Sequence, residues 1–179
     1  MKKIAYSFIA CLAVASSAFA GQEMKESKEY KTPLPEPCFK DTELQLDLFG
    51  SYTNTEGGGY KDGFGGGIAV NYFFMRYLGV GVDGNVFDGG VNGVWNTSAS
   101  LIARFPIELG GFCLAPYILA GGGASFDSTS SGNLHAGGGL EFRVVPQRIG
   151  IFAEGRYTWN AAAGADDGTQ IRTGIRLVF

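Results

Sequence analysis

The segment Ile171–Phe179, IRTGIRLVF, alternates without a break. At the two-residue period of a strand, Ile171, Thr173, Ile175, Leu177 and Phe179 share one face, and Arg172, Gly174, Arg176 and Val178 share the other. One face is apolar and the other cationic. A soluble sheet would bury the apolar face in a core and give the arginines to water. A membrane barrel would turn the apolar face to lipid and enclose the arginines. The remainder of the chain decides between them.

The start of the chain sets the compartment. Met1-Lys2-Lys3 is basic, Ile4 to Ala15 is apolar and uncharged, and Ser17-Ala18-Phe19-Ala20 supplies small residues before Gly21. That order predicts a cleaved secretory signal over 1–20, because the apolar run falls short of the roughly 20 residues a spanning helix needs. Residues 21–40, GQEMKESKEYKTPLPEPCFK, mix charges with prolines at no period, and predict an extended periplasmic tail ahead of one domain at 41–179. The formal charge falls from −3 to −5 once Lys2 and Lys3 are set aside, and no basic stripe remains that would suit nucleic acid.

From Asp41 onward the alternation recurs. Leu44, Leu46 and Leu48 oppose Glu43, Gln45 and Asp47; Phe64, Ile68, Val70, Tyr72 and Phe74 oppose Gly65, Gly67, Ala69 and Asn71. Leu78, Val80, Val82 and Val86 oppose Gly79, Gly81, Asp83 and Asn85; Trp95, Ala99, Leu101, Ala103 and Phe105 oppose Asn96, Ser98, Ser100 and Arg104. A fifth strand, Leu114 to Ser125, is apolar on both faces, so its orientation stays open. Ala136, Gly138, Leu140, Phe142 and Val144 oppose Glu141 and Arg143; Ile151, Ala153, Tyr157 and Trp159 oppose Glu154 and Arg156; IRTGIRLVF makes the eighth strand. The connections 53–61, 88–93, 126–134 and 160–167 are long, whereas 75–77 and 145–148 are short. Long and short alternate as in barrels with long external loops and tight periplasmic turns, the exception being 106–113.

The two faces then separate the alternatives. One carries five acids (Glu43, Asp47, Asp83, Glu141, Glu154) and five arginines (Arg104, Arg143, Arg156, Arg172, Arg176). Such balance suits a closed lumen, where ions must pair to offset their desolvation. The other face sets Tyr72, Phe74, Trp95, Phe105, Tyr157, Trp159 and Phe179 toward strand ends, the place of interfacial aromatic girdles. The expected architecture is all-β, an eight-stranded antiparallel up-and-down transmembrane β-barrel.

The signal segment, the eight alternating strands, PYILAGGG at Pro116 to Gly123 and the aromatic Phe179 together resemble the OmpA-like outer-membrane β-barrel family over 41–179. The resemblance implies a place in the outer membrane of a Gram-negative bacterium, contact with outer-membrane lipids, and recognition of Ile175, Leu177 and Phe179 by the barrel-assembly machinery. It leaves three functions open: a structural or surface-interaction barrel whose external loops carry recognition, a narrow solute channel, or a lipid-modifying enzyme. Eight strands enclose a bore that side chains largely fill, which favours the first.

No residue is assigned to catalysis, a cofactor or a metal. The sole histidine, His135, is expected at the external rim in water, and the sequence that follows it, Ala136-Gly137, lacks the His-x-Ser arrangement of the barrel deacylases. Two further expectations concern structure. Glu141, Arg143, Glu154 and Arg156 should form one paired lumen network with Arg172 and Arg176 nearby. Cys38 and Cys113 lie at the same, periplasmic end by strand count, within reach of a disulfide that would draw the tail beneath the barrel; two free thiols are the alternative.

Overall fold

A computed structural model describes residues 37–56, 61–88, 93–126, 130–160 and 167–179. The expected signal segment at 1–20 and most of the expected tail lie outside the described residues. The strands are β1 (Glu43–Glu56), β2 (Gly63–Met75), β3 (Leu78–Asp88), β4 (Gly93–Arg104), β5 (Ile107–Leu109), β6 (Phe112–Phe126), β7 (Ser130–Val145), β8 (Ile149–Asn160) and β9 (Asp167–Val178). All neighbours are antiparallel, β9 pairs with β1, and β4 pairs with β6, so the sheet closes on itself.

Nine strands make eight staves because β5 prolongs β4. Phe105 N still donates to Pro116 O at 2.8 Å, and the ladder breaks only at Pro106, which has no N–H to give. Beyond it, β5 folds back on Cys113 and its neighbours through Gly110 and Gly111, both at positive φ (56° and 92°), where residues bearing a Cβ are strained. The long connection expected at 106–113 is therefore mostly sheet.

Strands also run further at the opposite end than polarity suggests. β1 continues through Thr53, Asn54 and Thr55, and β7 starts at Ser130. Their polar side chains suggest a loop, but paired backbone and β-branched threonine suit a barrel wall equally well. The staves span 11 to 16 residues, enough to cross hydrocarbon, where about 9–11 tilted residues suffice.

Inward residues are buried and outward ones exposed along every stave. The fifth stave, unreadable by pattern, turns Cys113, Ala115, Tyr117 and Leu119 inward and Phe112 and Ile118 outward. Outside, Tyr52, Phe64, Trp95, Phe126, Tyr157 and Trp159 ring the barrel at one height, and Tyr72, Phe74, Tyr77, Phe105, Phe112 and Phe179 ring it at the end where Glu43 and Val178 lie. Tyr52 packs on Phe64 and Tyr157 on Trp159, each at 5.0 Å between ring centroids. Between the rings lie exposed aliphatics such as Leu48, Ile68, Val82, Leu101, Ile118, Leu140 and Ile175. Eight residues separate Phe64 from Tyr72, which at a rise of about 3.4 Å and a tilt near 40° gives an apolar band roughly 20 Å tall. A continuous exposed apolar belt of this kind is rare on a water-soluble monomer and suits contact with lipid.

Candidate functional site

Chemistry-bearing side chains concentrate in the lumen, which has three levels. At the end where Glu43 and Val178 lie, the described part of the expected tail, Pro37–Lys40, folds up into the barrel mouth. Cys38 is disulfide-bonded to Cys113, their Cα atoms 5.8 Å apart, and Phe39 is buried between two guanidiniums, Arg104 at 5.1 Å and Arg143 at 4.8 Å from its ring centroid. Phe39 N donates to Glu108 Oε1 at 3.3 Å, Lys40 N to Glu43 Oε1 at 2.7 Å, and Gln147 Nε2 to Pro37 O at 2.8 Å. The segment is a stopper, tied to the wall covalently and through its backbone.

Above it lies a first ion cluster. Glu43 Oε2 binds Arg104 Nη1 at 2.6 Å and Arg143 Nη2 at 2.9 Å; Arg143 Nε also meets Glu141 at 2.5 Å. Glu141 in turn takes Arg176 Nη1 at 2.6 Å, and Arg176 holds Asp47 in a two-pronged bond of 2.7 and 2.6 Å. Three acids face three arginines, so the cluster is neutral. Its cations are stacked as well as paired: Arg104 lies 3.9 Å over Phe73 and Arg176 4.8 Å over Phe152.

A second cluster follows one level up. Arg156 binds Glu154 through Nε at 2.5 Å and reaches across to Asp83 through Nη1 at 2.6 Å, while Arg172 Nη1 meets Asp83 at 3.1 Å. Tyr117 OH donates to Glu154 at 3.0 Å and Ser98 Oγ to Asp83 at 2.9 Å. Two acids face two arginines, again neutral. Phe49, Ala69 and Phe152 pack between the clusters, and the space left there, about 10 Å³, is barely one water's worth. At this level the bore is closed.

The third level is open. Toward the end where β1, β3, β6 and β8 finish at Glu56, Asp88, Phe126 and Asn160, water has about 80 Å³ in a cup lined by Thr53, Asn85, Asn96, Asn133, Arg156, Arg172 and neighbours.

The eight-stave barrel has solved counterparts in fold. The N-terminal β-barrel domain of Pseudomonas aeruginosa OprF superposes with a TM-score of 0.59 at 16% identity, over 76% of this chain and 97% of that one. The chain has the fold of a small outer-membrane β-barrel. Neisserial surface protein A matches this barrel with a TM-score of 0.58 at 18% identity over 77% of the chain and 97% of its own, and Ail, the attachment invasion locus protein of Yersinia pestis, with 0.58 at 18% over 78% and 100%. No protein-family model matches the sequence, and no curated protein does.

The small barrel departs from the sequence reading in two respects. The six residues expected as one network fall in two: Glu141, Arg143 and Arg176 belong to the lower cluster, Glu154, Arg156 and Arg172 to the upper. What divides them is the layer of Phe49 and Phe152, inward aromatics that a polar-versus-apolar reading of the faces passes over; Glu43, Asp47 and Asp83 supply the missing counter-charges. The second departure is His135. Only 4% exposed, it is no rim residue: β7 begins five residues earlier, and its parity with Asn133 and Glu141 turns it inward. Its Nε2 meets Ser100 Oγ at 2.8 Å across β6. Gly121 stands between them in the sheet, and a Cβ there would run into the backbone of Ala99 and Ser100.

In the barrel wall, Ile175 and Leu177 on β9 and Phe179 just beyond its end all face outward. Phe179 N donates to Leu44 O at 2.9 Å, at the seam where β9 meets β1.

Proposed function

We propose that the chain is an integral outer-membrane barrel with a structural or surface-interaction role, its recognition carried by external loops at the end where the cup opens. The observation that carries this is the pairing of a lipid-compatible outer wall with a bore closed at two levels, by the stopper at 37–40 and by the two neutral ion clusters. A solute channel needs a continuous water path, and about 10 Å³ at mid-bore does not provide one. Nor is the barrel an enzyme on this reading: Ser100, the hydroxyl paired with the histidine, does not line the cup and is out of a substrate's reach. Planar-bilayer recordings test the proposal. Purified barrel is expected to give no discrete conductance steps, and steps that disappear on reversing the charges at Arg156 and Arg172 would make it a channel.

The same reading assigns Ile175, Leu177 and Phe179 to the assembly machinery. Phe179→Ser is expected to lower the heat-modifiable barrel in outer-membrane fractions several-fold while leaving secretion intact, and Phe179→Tyr to be mild; unchanged yield of the serine variant would remove the assignment.

A further inference from the structure

The cup differs electrically from the lumen below it. Among the described residues that line it, the titratable ones are Arg156, Arg172 and His135, with no acid, in a chain whose acids outnumber its lysines and arginines. The carboxylates that pair the arginines lie deeper: Asp83 and Glu154 sit two residues below Asn85 and Arg156 on their strands, and neither lines the cup. Three of the described acids at the rim are engaged elsewhere, and Asp88 at the end of β3 does not line the cup. Glu56 accepts from Tyr157 OH on the outer face, Asp62 from Asn54 Nδ2, and Asp167 from Asn160 N.

The guanidiniums are also incompletely used. Arg156 spends Nε on Glu154 and Nη1 on Asp83 and Ser98; Arg172 spends Nε on Gln170 and Nη1 on Asp83. Nη2 of each is left as a donor that no described group takes up. Above them runs a belt of neutral hydrogen-bonding groups: Gln170 bonds Thr53 at 3.0 Å, Asn85 Nδ2 reaches Gln170 at 3.4 Å, Asn96 Nδ2 reaches Asn85 at 3.4 Å, and Asn133 Nδ2 bonds Ser125 at 3.1 Å. Amides and hydroxyls in a ring offer donors and acceptors alike.

We propose that the cup binds a small water-borne oxyanion carried on a hydroxylated body, a phosphorylated or acidic sugar by class. The two Nη2 donors take the oxyanion in charge-assisted bonds, and the belt takes the hydroxyls. Size limits the ligand: the cup admits water over about 80 Å³, room for a small polar group entering through the open mouth and none for a folded chain. Lipid touches only the outer wall, so a headgroup would have to climb over the rim, whereas a solute enters along the axis. The closed mid-bore makes this a binding site and not a passage. The proposal rests on the membrane-barrel reading only for the side on which the cup opens, and a titration in micelles is indifferent to that side.

The test is calorimetric titration of the full chain, refolded in uncharged detergent at low salt, with glucose 6-phosphate, inorganic phosphate and glucose. Glucose 6-phosphate is expected to bind saturably and more tightly than phosphate, and glucose not at all. Arg172→Gln should weaken glucose 6-phosphate about tenfold or more, the loss of one charge-assisted bond. Because that variant also disturbs an ion cluster, Thr158→Trp, which fills the cup and leaves both clusters intact, should abolish binding without changing the melting transition. Absence of saturable anion binding in the millimolar range, glucose binding as tightly as its phosphate, or wild-type affinity in the Thr158→Trp protein would each overturn the proposal. So would full displacement by phosphatidic acid in the micelle, which would transfer the ligand to the lipid surface.

Discussion

An Arg176→Leu barrel is expected to lose about 3–5 kcal/mol of unfolding free energy, because two carboxylates, Asp47 and Glu141, are then buried without their shared cation. Arg176 is the hinge of the lower cluster: three of its bonds, at 2.6 to 2.7 Å, join β9 to β1 and β7. Neutralising all three positions at once, with Asp47→Asn and Glu141→Gln added, should return most of the loss, since a paired ion set and a well-packed neutral one are close in energy once desolvation is counted. Urea unfolding in micelles or vesicles checks both variants. A triple variant as unstable as the sum of three single ones would show that the charges act independently, against the network.

Replacing Cys38 and Cys113 together by alanine is expected to cost about 2–4 kcal/mol, the usual worth of a bridge that closes a long loop. The bridge ties positions 75 apart in sequence, and it also holds the stopper in the mouth, so the unfolded chain and the folded mouth both gain freedom. Alanine isolates the tether: Cys113 has no exposure, and serine would add a buried hydroxyl in search of a partner. Unfolding of the oxidised protein and of the alanine pair, compared without reductant, gives the difference. Equal midpoints would mean that the backbone bonds of 37–40 hold the stopper by themselves.

Much of this fold can be read at the two-residue period because a membrane barrel writes its sidedness twice, once in lipid-facing aliphatics and once in lumen charges. Six staves show both, and the second shows only the first, its inward face being Gly65, Gly67, Ala69, Asn71 and Phe73. The fifth shows neither: its inward Ala115, Tyr117 and Leu119 are as apolar as its outward Leu114, Pro116 and Ile118, and only its neighbours in the sheet orient it. Aromatic residues are the second blind spot. Phe73 and Phe74 are adjacent and chemically identical, yet one lies under the Arg104 guanidinium and the other in the girdle. Stacking on arginine makes a lumen phenylalanine as well placed as a lipid-facing one, so composition cannot separate them. His135 was legible by parity with Glu141, but the serine-rich run before it reads as loop and hides the early start of β7. The division of the ion pairs into two clusters depends on register across strands distant in sequence, such as β3 with β8, which no local pattern carries.

In this barrel the apolar face meets lipid and the charged face does not. Single cysteines placed at outward Leu48, Ile68, Leu101 and Ile151 and at inward Ala69 and Ser100, in the disulfide-bonded protein reconstituted into bilayers, can carry an environment-sensitive fluorophore. Acyl-chain bromines should quench the four outward positions, most strongly near mid-membrane, and leave the two inward ones unaffected. Quenching of the outward labels by a water-soluble quencher, with none from the brominated lipid, would make this a soluble barrel and contradict the account.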